Sequence, residues 1–184
     1  MKIISALILY FFLTSFLSLP DKDEPTGEQK TTESIQSFDT YISQLYKDCA
    51  LDTVLDFEVF RYGMIGYYNM QSQELLSKDS LITLINFDQP SNEERMYIIN
   101  LKTQKLVLKT LVAHGKNTGQ TEAVSLSNRP RSNQCSLGFY YTSETYNGKH
   151  EFSLKIDGVD TLFNNNARQR GVVFHGADYV SHEF

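Results

Sequence analysis

The sequence predicts an α+β domain, two helices followed by mostly antiparallel strands, and three observations carry that prediction. Apolar residues recur at three- and four-residue spacing between Ile35 and Tyr68. Runs dense in Ile, Leu, Val and Tyr take over from Ser80, and short polar turns join those runs in pairs. At 184 residues the chain is long enough to bury a real core in one domain.

The first helix is expected where Ile35, Phe38, Tyr41, Ile42, Leu45 and Tyr46 fall on one face. The second starts near Asp56, whose carboxylate suits an N-cap, and carries Phe57, Phe60, Met64, Ile65 and Tyr68 inward. Both stripes read as core packing. Strands follow over 81–87, 95–101 and 105–112, with Lys102-Thr103-Gln104 short enough to close the last two as a hairpin. A second pair is expected over 138–146 and 151–157. Its turn falls at Tyr146-Asn147-Gly148-Lys149, because Asn and Gly tolerate positive φ. Between the pairs, residues 115–134 form a polar loop of a length that is often functional. Val172-Val173-Phe174 then reads as a short buried strand that Gly176 breaks just after His175. No internal repeat is present.

Ahead of the domain, Met1-Lys2 gives a basic start, and Ile3 to Leu19 are almost wholly apolar before Pro20-Asp21-Lys22-Asp23-Glu24. This is the layout of a secretory signal peptide, and its length also suits an uncleaved membrane anchor. Residues 1–19 are thus expected to be signal or anchor, 20–34 a flexible linker, and 35–184 the domain. Either way the domain lies outside the cytoplasm, tethered to the membrane if the segment stays uncleaved. The net charge of −5 and the lack of a basic cluster disfavour nucleic acid as a partner. Cys49 and Cys135 allow one disulfide or two inert buried thiols.

The dipeptide His-Gly occurs twice after a strand, at His114-Gly115 and His175-Gly176. A histidine at a strand end suits a general base, since its ordinary pKa lies near neutral, and it then needs a nucleophile within hydrogen-bond reach. His150, beside a turn, and His182 read as solvated. No His, Cys or carboxylate set shows metal-ligand spacing, so no metal is expected, and there is no Gly-x-Ser-x-Gly elbow.

Taken in order, the segments 80–91, 95–101, 110–119, 125–128, 136–140, 144–150, 166–170 and 175–179 are more specific than any one motif. They include Val112-Ala113-His114-Gly115-Lys116-Asn117, Ser136-Leu137-Gly138-Phe139-Tyr140, Asn166-Ala167-Arg168-Gln169-Arg170 and His175-Gly176-Ala177-Asp178-Tyr179. The series resembles the murein L,D-transpeptidase catalytic domain family in its secreted envelope branch, from about Leu55 to the last residue. The resemblance implies a β-rich domain in the cell envelope or periplasm that acts on peptidoglycan stem peptides and uses no cofactor. A cysteine thiolate attacks the carbonyl of the third stem residue, usually a diamino acid. D-Alanine leaves, and the acyl group passes to an amine on a neighbouring stem. That chemistry needs a histidine to activate the thiol and backbone N–H donors for the oxyanion.

The family's histidine maps onto His175, with Gly176 as its backbone neighbour. Gly138 and Tyr140 are candidates for the cleft wall, where plain packing accounts for them as well. Arg168 and Arg170 are candidates to meet a substrate carboxylate, with surface solvation as the default. The family's cysteine lies a short loop further on, in a Ser-x-Gly-Cys type of motif, and no such motif follows His175 here. The sequence therefore reads as a domain incomplete at its C-terminus and inactive by itself, or alternatively as a non-catalytic binder of stem peptides or a decayed fragment. A Cys135–His175 pair is conceivable but comes with no identifiable oxyanion hole.

Overall fold

Residues 27–77 and 80–182 are described by the structure, a computed structural model. The expected signal or anchor segment, 1–19, and residues 20–26 of the expected linker lie outside them. Among the described residues no helix is long and apolar enough to cross a membrane. The chain divides into two compact units, one ending at Ser37 and the other running from Phe38 onward. In the first, Ser37 Oγ donates to the Ser34 carbonyl at 2.8 Å, a local bond one turn back along the helix.

Helix α1 spans Gly27–Asp48 and so begins within the stretch that composition assigns to a tether. Ile42, Leu45 and Tyr46 of its stripe are buried, whereas Ile35 and Tyr41 stay exposed. Helix α2 spans Phe57–Ser72, and Asp56 caps it as expected, its carboxylate accepting from the Glu58 amide at 2.8 Å. Phe60 and Met64 are fully buried, and Ile65 and Tyr68 only half so.

Two glycines of α2 do work that periodicity does not reveal. A Cβ on Gly63 would stand 2.3 Å from Leu84, and one on Gly66 would stand 2.0 Å from the Phe139 ring. Their bare backbone lets one face of α2 approach both the first sheet and the strand entry at Phe139.

Strands β1 (Leu81–Ile85), β2 (Met96–Asn100) and β3 (Lys105–Thr110) form an antiparallel sheet in that order, and the expected β2–β3 hairpin is present. Leu84, Tyr97 and Ile99 meet Ile42, Leu45, Tyr46, Leu51, Leu55, Phe60 and Met64 in the main core. Each large side chain buried there contributes roughly 1.5–3 kcal/mol relative to exposure.

Strands β4 (Tyr140–Gly148), β5 (Glu151–Gly158) and β6 (Val173–His175) form a second antiparallel sheet, with the short helix α3 (Ala167–Arg170) between β5 and β6. The hairpin turn differs from the sequence expectation. Gly148 pairs with Glu151, so Lys149 and His150 form the turn and Asn147-Gly148 belongs to β4. Two local features accompany this register. The Tyr146 ring lies over Gly148, where a Cβ would stand 2.5 Å from Cε2, and Glu151 takes the positive φ of 58°. β6 is half-buried rather than buried, as an edge strand of a sheet outside the main core.

Candidate active site

The candidate site lies at the end of β6. The chain leaves α3 through Gly171, whose φ of 69° makes a left-handed C-cap with its amide bonded back to Ala167 and Arg168. It then runs antiparallel to β5, with Val173 opposite Lys155, Phe174 opposite Leu154 and His175 opposite Ser153. His175 thus sits at the strand end, as expected from Gly176. Its Nδ1 lies 2.8 Å from the Gly176 carbonyl oxygen. A carbonyl only accepts, so Nδ1 carries the proton and Nε2 of the neutral ring is left with its lone pair. A Cβ on Gly176 would meet nothing within 4 Å, so this backbone borders open space.

The turn that precedes β5 delivers a second imidazole. The His150 and His175 rings stack with centroids 4.2 Å apart and planes 18° from parallel. The sequence reads His150 as solvated beside a turn; it is exposed, and one side of its ring meets His175. With the turn at Lys149-His150, the register alone puts His150 at the hairpin tip beside the end of β6.

Gly138, Tyr140 and Arg170 gather at the opposite end of the hairpin. Tyr140 pairs with Gly158 and His175 with Ser153. Five residue steps along β5 therefore separate them, about 17 Å at ~3.4 Å per residue. The Tyr140 hydroxyl donates to the Ser136 carbonyl at 2.7 Å, and burial pushes its pKa up. Arg170 donates to Ser136 Oγ and to Ser132 Oγ, each at 3.1 Å, and to the Gln134 carbonyl. Gly138 adopts φ 111°, and a Cβ there would stand 2.6 Å from Nδ2 of the buried Asn164. These three residues knit the loop before β4 to the segment after β5.

Arg168 faces the sheet. It bonds Asp157 through Nε and Glu144 through Nη1 at 2.8 Å, with Ser143 Oγ at 2.8 Å from Nη2. Lys155 adds a contact to Glu144 at 2.9 Å. The guanidinium hydrogen bonds hold both carboxyls below the usual carboxylate range and raise the guanidinium's own pKa. Arg168 is engaged by two carboxylates of its own sheet rather than held open for a third.

Both cysteines are free thiols. Cys49 is buried in the main core, where burial and then Asp48 push its thiol pKa up, the setting of an inert structural cysteine. Cys135 is tied into the 115–134 loop. Its Sγ accepts from the Gly115 amide at 3.2 Å, its amide donates to Thr118 Oγ1 at 2.7 Å, and its carbonyl accepts from Ser127 at 2.9 Å. The first His-Gly pair belongs to this scaffold. Arg95 donates to His114 Nδ1 at 3.0 Å, so His114 carries its proton on Nε2, which lies 3.1 Å from the Gly119 carbonyl. The two His-Gly dipeptides thus hold opposite tautomers, one locked into a loop and one open at a strand end.

Residues 51–184 match the L,D-transpeptidase catalytic domain, and the chain belongs to that family, whose members act on peptidoglycan stem peptides. No curated protein and no solved structure shows a match.

Proposed function

We propose that this chain is an exported envelope protein that holds a peptidoglycan stem peptide at the β6 end of its second sheet, with His175 Nε2 as the basic group facing the peptide. The family match over 51–184 carries this reading. The His175 geometry supports it, because Nδ1 is occupied by the Gly176 carbonyl and Nε2 is the free acceptor. In cysteine acyl transfer such an atom takes the thiol proton and returns it to the departing D-alanine amine. The apolar run from Ile3 to Leu19 supports export.

Turnover needs a thiolate beside that nitrogen, and the two cysteines of these 184 residues are committed elsewhere, Cys49 to the core and Cys135 to the loop scaffold. The 184-residue chain therefore binds stem peptides without cross-linking or trimming them. The test is calorimetric titration with a tetrapeptide stem bearing a third-position diamino acid and a terminal D-alanine, followed by peptide mass mapping. Saturable binding is expected, weakened about tenfold in His175→Ala by loss of one hydrogen bond of about 1.4 kcal/mol. No acyl adduct and no free D-alanine should appear. Acylated Cys135 would overturn the assignment of Cys135 to the scaffold, and absent binding would overturn the stem-peptide reading.

A further inference from the structure

We propose that His150 is a positioning residue for His175, fixing the imidazole so that Nε2 faces the open side of the strand end. The proposal rests on the reading of His175 as the base of this site and adds how that base is held. Four observations carry it.

The ring centroids are 4.2 Å apart and the planes 18° from parallel, so His150 stacks against one face of His175. Stacked in this way their in-plane lone pairs run side by side and do not converge on one point, which excludes the pair as two ligands of a common metal ion. The second restraint is in the ring plane, where Nδ1 meets the Gly176 carbonyl at 2.8 Å. A face contact and an in-plane bond together fix both torsions of a side chain that is otherwise free at a strand end.

The third observation is the cost the hairpin bears to put His150 there. The turn passes over Asn147-Gly148, which is suited to positive φ, and places the positive φ of 58° on Glu151 instead. Strain of this kind persists where the surroundings over-determine it and is concentrated at functional sites. The fourth is the position paired with His175. Ser153 is 2 % exposed, and its hydroxyl donates to the Glu151 carbonyl at 3.2 Å, a bond that holds the first residues of β5 beside the end of β6.

A stacked aromatic pair shifts the balance between held and free ring orientations by roughly two- to tenfold. The experiment compares the wild-type chain with His150→Ala and His150→Phe. It reads the 15N shifts of the His175 ring and the rate at which diethyl pyrocarbonate acylates His175. Wild type should show the Nδ1–H tautomer. His150→Ala should erode that preference and change the acylation rate about threefold or more as the ring is released. His150→Phe, which keeps a flat ring but carries no nitrogen, should restore both.

Identical His175 tautomer and rate in all three proteins overturn the proposal, as does failure of Phe to rescue. Intact amide spectra in both variants separate a local change from misfolding. Failure of the functional reading shows differently: the stack behaves as described, but added stem tetrapeptide moves no His175 resonance.

Discussion

Arg95 is fully buried, and its guanidinium is spent on backbone and imidazole rather than on an ion pair. It donates to the Val112 carbonyl at 3.0 Å, the Gln89 carbonyl at 2.8 Å and His114 Nδ1 at 3.0 Å, with the Phe87 ring 5.0 Å from its carbon centre. Burial lowers its pKa. Because the side chain satisfies carbonyls that water does not reach, Arg95→Met should cost about 2–4 kcal/mol. Urea denaturation checks this, and a change within about 0.5 kcal/mol would contradict the role given to Arg95. Gly138→Ala should cost about 1–3 kcal/mol in the same assay, from the left-handed φ and the clash with Asn164. At this scale the sequence conveys residue type but not partner. His175, Arg168 and Tyr140 are all legible as chemically capable, yet their spacing does not say that Arg168 meets Asp157 and Glu144 of its own sheet. Those contacts span 11 and 24 positions of chain.

Helices and hairpins are where local pattern and structure agree best. The Asp56 cap, the inward Phe60 and Met64, and the β2–β3 hairpin all follow from rules that act over a few residues. Asp56→Ala should lower stability by about 1 kcal/mol, read from the thermal midpoint. The β4–β5 turn departs from those rules: Gly148 stays in β4, paired with Glu151, and the turn falls at Lys149-His150. The same sheet carries a pH dependence whose sign follows from its charges. Folded-state pKa values of Glu144 and Asp157 lie below the usual carboxylate range, chiefly through hydrogen bonds from Arg168. Their stabilisation is thus fully present above the ordinary carboxylate pKa, and it is lost as pH falls through the folded-state values. Arg168→Ala should flatten the decline in unfolding free energy below about pH 4, with exposure to solvent keeping the effect modest. A variant curve parallel to wild type over that range would contradict the clamp.

Across the whole molecule, core and site are separated. The apolar core lies between α1, α2 and the first sheet, whereas His175, His150 and Gly176 sit at the tip of the second sheet among polar and half-exposed residues. Periodicity therefore reads the part of the chain that buries surface and is nearly silent about the candidate site. What was legible of the site came from the order of motifs along the chain and from one local break, Gly176 after a β-branched run. The His150 stack was not legible, because it depends on the register in which β4, β5 and β6 pair. Separation of this kind also lets the domain keep its fold while its site varies.

The most direct test of the account follows the His175 and Gly176 resonances of the 184-residue chain during titration with the stem tetrapeptide. The account predicts saturable shifts centred on these two residues and on His150, with Cys135 and the 115–134 loop unmoved. Binding that leaves His175 and Gly176 silent, or that moves the Cys135 loop instead, would contradict it.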